Sequence, residues 1–134
     1  MGVALTKDSI DLGIVVRDID AALAFYRDTL GFVPAGDNDM PGGMHMWRLM
    51  CGTSMIKLVT VDPVPEAKSA RGGIPGASGY RYWTMSVSNL QEMADACTAG
   101  GYKVRIPPTE ISPGTKIVMV EDPDGNWVEF LDRR

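Results

Sequence analysis

The chain has 134 residues, 45% of them hydrophobic and two of them cysteine, so it can bury a core without a disulfide framework or a structural metal. Its net charge of −4 and lack of a basic cluster argue against a nucleic-acid partner, because phosphate binding requires concentrated Lys and Arg. No stretch has the pattern of a membrane span or a secretion signal, so we expect a cytoplasmic protein with reduced thiols and no membrane partner.

The first predicted elements are a strand and a helix near the N-terminus. Residues 11–19 have the pattern of a strand that runs into a helix, and Asp18 is a favourable N-cap. The helix is expected to end near Leu30 and Gly31, where glycine can adopt the left-handed conformation. One buried stripe is indicated by apolar residues that recur at helical spacing, namely Ile19, Ala22, Leu23 and Tyr26.

Three extended segments follow this helix. The first is short, Phe32 and Val33, and leads into an irregular stretch at residues 35–43. The other two are strands at residues 44–50 and 55–61, with a turn at residues 51–54 between them. The first half of the chain is therefore predicted to be strand, helix and three strands.

The second half repeats this plan. Residues 82–90 again have the pattern of a strand that runs into a helix, with Asn89 as the N-cap and a predicted end near Gly100 and Gly101. The buried stripe of this helix would be formed by Leu90, Met93, Ala94 and Cys97. The extended segment 102–104 and two strands, 116–120 and 127–131, complete the unit, with a turn at residues 122–126 marked by an early proline and a late glycine.

A repeat of this length predicts two similar units that share one core. The expected fold is α+β, with two tandem βαβββ modules that form a curved mixed sheet around a cavity and helices on the outer side. We expect a single domain over residues 1–134, with module one at about 8–62, a linker at about 63–79 and module two at about 80–132. The irregular stretch from residue 62 to 79 is either a spacer or a lid over the cavity.

Two sequence motifs resemble those of a known superfamily. The first comprises residues 16–20 with Phe25-Tyr26 and residues 30–32, and the second is Asp-Pro-Asp-Gly-Asn-Trp-Val-Glu-Phe at residues 122–130. In this order and at this spacing they resemble the vicinal oxygen chelate superfamily. It includes glyoxalase I, extradiol dioxygenases, methylmalonyl-CoA epimerase, fosfomycin-resistance enzymes and bleomycin-binding proteins. The resemblance covers nearly all of the chain and implies a homodimer that acts on or binds a small molecule.

The resemblance also indicates four positions where metal-dependent members keep their ligands. Here these positions are Asp11, Lys57, Tyr82 and Glu129, and only Glu129 is a usual ligand. A lysine ammonium repels a divalent ion, so we expect no metal and no other cofactor. A weaker alternative is that Asp11 and Glu129 hold a divalent ion with His45 as the third ligand, because oxygen ligands suit magnesium, calcium or manganese.

Strand alternation predicts that the residues at these positions face one cavity. Asp11 and Gly13 would point to the concave side of the first strand, as Tyr82 and Thr84 would on its counterpart. An enzyme could use Glu129 or Asp11 as a general base. Lys57 would then stabilise an oxyanion and Tyr82 would donate a proton or a hydrogen bond, which suits isomerisation, epimerisation or elimination beside a carbonyl. Alternatively, Lys57 with Asp11 and Glu129 forms an ion cluster that only joins the modules.

A non-catalytic binding protein of the bleomycin-resistance type is the second function that the sequence allows. Its pocket would be apolar and adaptable, with methionines and tryptophans contributed by Met44, Met46, Trp47, Met50, Met55 and Trp127. Arg48 needs a partner, either an anionic ligand or an acid such as Glu121 or Asp122. The candidate ligand-binding residues are therefore Arg48, His45, Trp47, Thr84 and Trp127, although the sequence leaves open which side of strand 44–50 faces the cavity.

Overall fold

The computed structural model describes residues 2–134. It divides into two compact units, Met1–Glu66 and Ala67–Arg134. Each unit contains a four-stranded mixed sheet with its helix between the first and second strands, so the α+β class and the tandem βαβββ modules are confirmed. None of the helices within the described residues is long and apolar enough to cross a membrane.

The first unit has the predicted elements, with its second strand longer than expected. The bounds are β1 Leu12–Val15, α1 Ile19–Leu23, a π-helical segment Ala24–Thr29, β2 Val33–Met40, β3 Met44–Cys51 and β4 Ser54–Val61. Its strand order is β1-β4-β3-β2, with β1 parallel to β4 and the other pairs antiparallel. Parallel pairing of the first and last strands is possible because the helix lies in the connection between β1 and β2.

The first helix begins and ends as predicted, but its second half is π-helical. The Asp18 carboxylate accepts hydrogen bonds from the backbone N–H groups of Asp20 and Ala21 at 3.0 and 3.2 Å. Past Leu23 the helix widens, and the N–H of Leu30 donates to the carbonyl of Phe25 at 2.9 Å, five residues back. Gly31 then closes the helix at φ 81°, as predicted.

The prediction that residues 35–43 are irregular was wrong for most of this stretch. Strand β2 continues to Met40, with a register shift between Pro34 and Asp37, and only residues 41–43 form a turn. Glycine, aspartate and asparagine have low β propensity, which hides the strand in the sequence. Pairing with β3 supplies the backbone hydrogen bonds, and the polar side chains remain exposed along this edge.

The second unit has the same plan with one additional short helix. The bounds are α2 Gly73–Gly76, β5 Tyr82–Ser86, α3 Leu90–Ala99, β6 Val104–Ser112, β7 Thr115–Glu121 and β8 Trp127–Arg133. Its strand order is β5-β8-β7-β6, again with the first and last strands parallel. Asn89 begins α3 at the predicted position, but its side chain donates to Glu92 at 2.6 Å and makes no capping bond to the helix backbone.

Helix α3 packs against β6, β7 and β8. The core of this unit includes side chains that are at most 1% exposed, namely Cys97, Val118, Val120, Val128 and Phe130. Burial raises the pKa of the Cys97 thiol to about 11, and both Cys97 and Cys51 are free thiols. The predicted buried stripe of this helix is confirmed at Leu90, Ala94 and Cys97.

Part of the irregular stretch that precedes β5 is fixed to the second unit. We call residues 70–76, which include α2, the strap. The Arg81 guanidinium donates to the carbonyls of Gly73 at 2.7 Å and Ala70 at 2.9 Å. The Trp127 indole lies directly against Gly73, because a Cβ added there would be 2.2 Å from the ring. The strap is therefore a packed element of its unit.

Candidate functional site

The strand registers show that the four positions identified from the resemblance, Asp11, Lys57, Tyr82 and Glu129, occupy equivalent places in the two units. In the first unit β1 and β4 align Gly13 with Lys57, and in the second unit β5 and β8 align Thr84 with Glu129. Lys57 is therefore the counterpart of Glu129. Asp11 precedes β1 as Tyr82 begins β5, and these two residues are counterparts by the same alignment.

Asp11 is the centre of an ion-pair cluster in the first unit. Its carboxylate lies 2.5 Å from the Lys7 Nζ and 3.7 Å from the Lys57 Nζ. The hydrogen bond from Lys7 lowers the pKa of Asp11, and the charge of Lys57 adds a smaller effect in the same direction. The sequence did not predict a contact between Lys7 and Asp11. A spacing of four residues brings side chains together in a helix, and these two residues lie outside any helix.

Arg48 lies on the same face of the first sheet as Lys57. The two residues are directly opposite each other on β3 and β4, and opposite residues of an antiparallel pair share a face. The guanidinium of Arg48 donates to the side-chain carbonyl of Asn38 on β2. The sequence left open which side of β3 faces the cavity. The Arg48 side of β3 lies on the same face of the sheet as Lys57.

The acids suggested as partners for Arg48 have other roles. The Glu121 carboxylate accepts a hydrogen bond from Arg105, and its Oε1 lies 3.6 Å from the Arg71 Nη1. The Asp122 carboxylate accepts bonds from the turn that follows it, including the Asn126 side chain at 2.9 Å. The expectation that an acid pairs with Arg48 is corrected, because a neutral amide accepts its hydrogen bond.

His45 and Trp47 lie on the opposite face of β3 from Arg48 and Lys57. Their ring centroids are 4.2 Å apart, and the strand pairing puts them on the face of the buried Leu58. The register therefore does not bring these two predicted ligand-binding residues to the face that carries Lys57. Trp47 instead packs beside the histidine, as two residues on one side of a strand do.

His45 is held between two carboxylates. Its Nε2 lies 2.6 Å from the Asp37 Oδ2, and its Nδ1 lies 2.7 Å from the Asp39 Oδ1. Both contacts are hydrogen bonds only when both ring nitrogens carry protons. These bonds, that of Asp39 first, raise the pKa of His45 above its ordinary value of 6.5. With both nitrogens occupied, His45 does not fit the role of a third metal ligand.

We expect the His45 cluster to make stability depend on pH. Because the folded state raises the pKa of His45, the stabilisation is complete below the unfolded pKa near 6.5 and is lost as pH rises through the folded pKa. Urea denaturation at pH 6 and pH 9 should show wild type losing more stability than His45→Gln. An equal loss in both proteins would contradict this prediction.

Glu129 is the most buried of the four singled-out residues. It is 8% exposed, and the Thr84 hydroxyl donates to its Oε1 at 2.6 Å. Among residues 2–134, none of the ion pairs involves Glu129. Tyr82 precedes Thr84 by two residues on the same face of β5 and is 47% exposed. Thr84, which was predicted to face the cavity, thus contacts Glu129, and a phenol lies on the same face of the sheet.

A second group of polar side chains shares this face of the sheet. Trp127 is aligned with Tyr82 on one side and Glu121 on the other, so all three lie in one row next to Glu129. Glu121 is 5% exposed and is held by Arg71 and Arg105. Neither arginine was predicted, because their approach to Glu121 depends on the path of the strap and on a register shift in β6.

The donor set does not suit a divalent metal ion. Metal-dependent members of the superfamily have histidines and acids where this chain has Asp11, Lys57, Tyr82 and Glu129. Lys57 brings a positive charge to within 3.7 Å of Asp11, which already pairs with Lys7. Within residues 2–134, no group of three or more His, Cys, Asp or Glu side chains is arranged to hold one ion.

A cavity in the second unit lies elsewhere. It has a volume of about 360 Å³ and lies at the start of α3, with a lining that includes Asn89, Glu110, Lys116 and Asp132. Lys116 and Asp132 alternate with Met119 and Glu129 along their strands and point to the helix-covered face. This cavity is separate from the Glu129 surface and includes none of the predicted site residues.

Comparison with known proteins gives a consistent result. The model of the Glyoxalase/Bleomycin resistance protein/Dioxygenase superfamily matches residues 9–130. A glyoxalase family protein from Bacillus cereus has a TM-score of 0.82 at 17% identity over 98% of this chain and 96% of its own. One from Enterococcus faecalis has a TM-score of 0.65 at 23% identity over 96% of both chains.

Glyoxalase I from Zea mays is also similar, with a TM-score of 0.77 and 21% identity. The match covers 92% of this chain but only 43% of the maize enzyme. At these identities the structures support the fold alone. No curated protein sequence matches the chain.

Proposed function

The chain belongs to the Glyoxalase/Bleomycin resistance protein/Dioxygenase superfamily, and we propose that it is a small-molecule enzyme that works without a metal. The reaction would be an isomerisation, epimerisation or elimination beside a carbonyl group. The observation that carries this proposal is Glu129, a buried carboxylate with a hydroxyl donor and no cationic partner within its own unit. Such a group can accept a proton from a substrate once water is excluded.

Glu129 is a better candidate for the base than Asp11. Two lysine ammonium groups surround Asp11, and they lower its pKa, which weakens it as a proton acceptor. The side chain that donates to Glu129 is the neutral Thr84 hydroxyl. That bond fixes one carboxylate oxygen and leaves the other available for a substrate proton.

The proposed step is transfer of a proton from carbon to a Glu129 oxygen. The electron pair of the broken C–H bond moves between the two carbons as the carbonyl π pair moves to oxygen, which gives an enolate. Return of the proton to the other face of the same carbon gives an epimer. In a hydroxyketone, return of the proton to the former carbonyl carbon, with the hydroxyl proton moving to the enolate oxygen, gives an isomer. Departure of a β-substituent with the electron pair of its bond to carbon gives elimination. No oxidant or reductant is required.

The developing oxyanion needs a donor or a positive charge. The candidate that the resemblance gives for that role is Lys57, whose side chain is 34% exposed and has only Asp11 at ion-pair distance within the described residues. Tyr82 is the candidate for a second hydrogen-bond donor or acid, because its phenol shares a face with Glu129. Loss of the Lys57 charge in Lys57→Met should lower turnover more than it weakens ligand binding.

Deuterium exchange tests this function across a panel of carbonyl compounds. The protein would be incubated in D2O with short 2-oxo acids, hydroxyketones and α-substituted thioesters, and the carbon beside each carbonyl followed by NMR. Protein-dependent exchange or conversion that disappears in Glu129→Gln would support the proposal. A compound that raises the melting temperature yet shows neither exchange nor conversion would point to the non-catalytic alternative.

The non-catalytic alternative is a small-molecule binding protein of the bleomycin-resistance type. It is favoured by the Trp127 indole, whose buried Nε1 has no hydrogen-bond partner within the described residues. Trp127 shares a face of the sheet with the buried Met119. A binding pocket needs such a mixture of aromatic, methionine and donor groups. Lyase or isomerase activity, a homodimer and a cytoplasmic location stay predictions, and light scattering would check the dimer.

A further inference from the structure

The second unit has unused hydrogen-bond donors on Trp127, two residues from Glu129 on β8, and on Arg71, beside Glu121. We propose that the substrate carries a carboxylate, which the Arg71 guanidinium binds together with the Trp127 indole N–H. This inference rests on the proposed function, since it names the substrate class of the same site. It also assigns a role to the strap, on which Arg71 lies.

Arg71 has free donors. Its Nη1 is 3.6 Å from the Glu121 Oε1, an ion-pair distance that is too long for a hydrogen bond. No hydrogen bond from its guanidinium is found within residues 2–134, and its side chain is 61% exposed. The Glu121 carboxylate has a closer partner in Arg105. The Arg71 guanidinium, with its five N–H donors, is thus oriented by the Glu121 carboxylate and can still bind a ligand carboxylate.

The Trp127 N–H is a second donor that lacks an acceptor. Its Nε1 is buried, and no protein group within the described residues accepts its proton. Buried indole donors normally find a partner, because an unpaired one has lost its water without compensation. A ligand oxygen would supply that partner once the atom, which has almost no exposed surface in this structure, is uncovered.

Strand β8 places the Trp127 donor relative to Glu129. Trp127 and Glu129 are two residues apart on β8, so they share a face and are separated by roughly 7 Å along the strand. A carboxylate at Trp127 would place carbon atoms two to four bonds away near the proposed base. This spacing suits a short oxo or hydroxy acid.

Arg71 is held in place before any ligand binds. Its Nη1 lies close to Gly125 in the turn that leads into β8, since a Cβ there would be 2.6 Å away. The Arg81 bonds fix the strap on the other side of Arg71. A guanidinium that is already positioned loses little side-chain entropy when it binds a carboxylate.

The surrounding charge favours a singly charged group over a phosphate. Glu121 and Glu129 lie on the same face, and Asp122 begins the adjoining turn. A dianion would meet more repulsion from these three acids than a carboxylate would. We therefore expect pyruvate or 2-oxobutyrate to bind in preference to inorganic phosphate.

Calorimetry with an acid and its ester tests this proposal. Wild type should bind 2-oxobutyrate at least tenfold more tightly than methyl 2-oxobutyrate, and Arg71→Gln should lose at least tenfold in affinity for the acid alone. The matched control is Arg27→Gln, since Arg27 is an exposed arginine that pairs with Asp28. Trp127→Phe keeps an aromatic ring without the N–H and should lose several-fold.

Three results would overturn the carboxylate assignment. They are equal affinity for acid and ester, binding of neither, and tighter binding of inorganic phosphate. Circular dichroism and melting temperature would show that Arg71→Gln is folded, and Trp127→Phe provides a second route if it is not. Acid binding that is retained in wild type without deuterium exchange would contradict the proposed reaction alone, whereas exchange that is equally fast with esters would contradict the carboxylate assignment alone.

Discussion

Turnover is expected to fall at least 100-fold when Glu129 is replaced by glutamine, while the affinity for the ligand changes only a few-fold. General base catalysis contributes about 10² to 10⁴-fold to enzymatic rates, and an amide cannot accept the proton. Glutamine keeps the size of the side chain, and its carbonyl oxygen can still accept the 2.6 Å hydrogen bond from the Thr84 hydroxyl. The measurement is kcat from conversion and Kd from calorimetry on the same preparation.

A matched control removes a carboxylate elsewhere in the same unit. Glu110 is an exposed acid on β6, and Glu110→Gln should leave both kcat and Kd unchanged. If Glu129→Gln turns over substrate as fast as wild type, Glu129 is not the general base. A loss of binding as large as the loss of turnover would show that the carboxylate holds the ligand and does not take a proton.

Local signals in the sequence were enough to predict the repeat and most of the elements. Asp18 shows why, because a carboxylate at an N-cap position bonds to backbone groups two and three residues away. The same reasoning placed Asn89 at the start of α3 but gave the wrong partner for its side chain. Glu92 competes for the amide, and this contact depends on rotamers that the residue types do not determine.

The candidate site was predictable only in part, because it depends on which strands are neighbours. The family resemblance was enough to match Lys57 with Glu129, and the registers agree with it. The face of Arg48 followed only from its pairing with Lys57. The approach of Arg71 to Glu121 spans fifty residues and follows from how the strap folds back, for which the sequence contains no local signal.

The second large effect concerns the strap, and we expect Gly73→Ala to destabilise the protein much more than Gly52→Ala. Both glycines have nearly the same left-handed backbone, with φ of 58° and 59°. An alanine therefore costs about 1–2 kcal/mol of backbone strain at either position. A Cβ at residue 73 would also be 2.2 Å from the Trp127 ring, whereas nothing lies within 4 Å of one at residue 52.

The clash at residue 73 can be relieved only by moving the indole or the strap. Overpacking of this kind costs about 1–3 kcal/mol, so we expect a total loss of roughly 2–5 kcal/mol in Gly73→Ala, measured by urea denaturation. Movement of the strap would also displace Arg71, and the acid affinity of this variant should fall with its stability. If Gly73→Ala and Gly52→Ala lose the same free energy of unfolding, the Trp127 indole moves aside without destabilising the protein. Gly73 would then be required only for its backbone conformation.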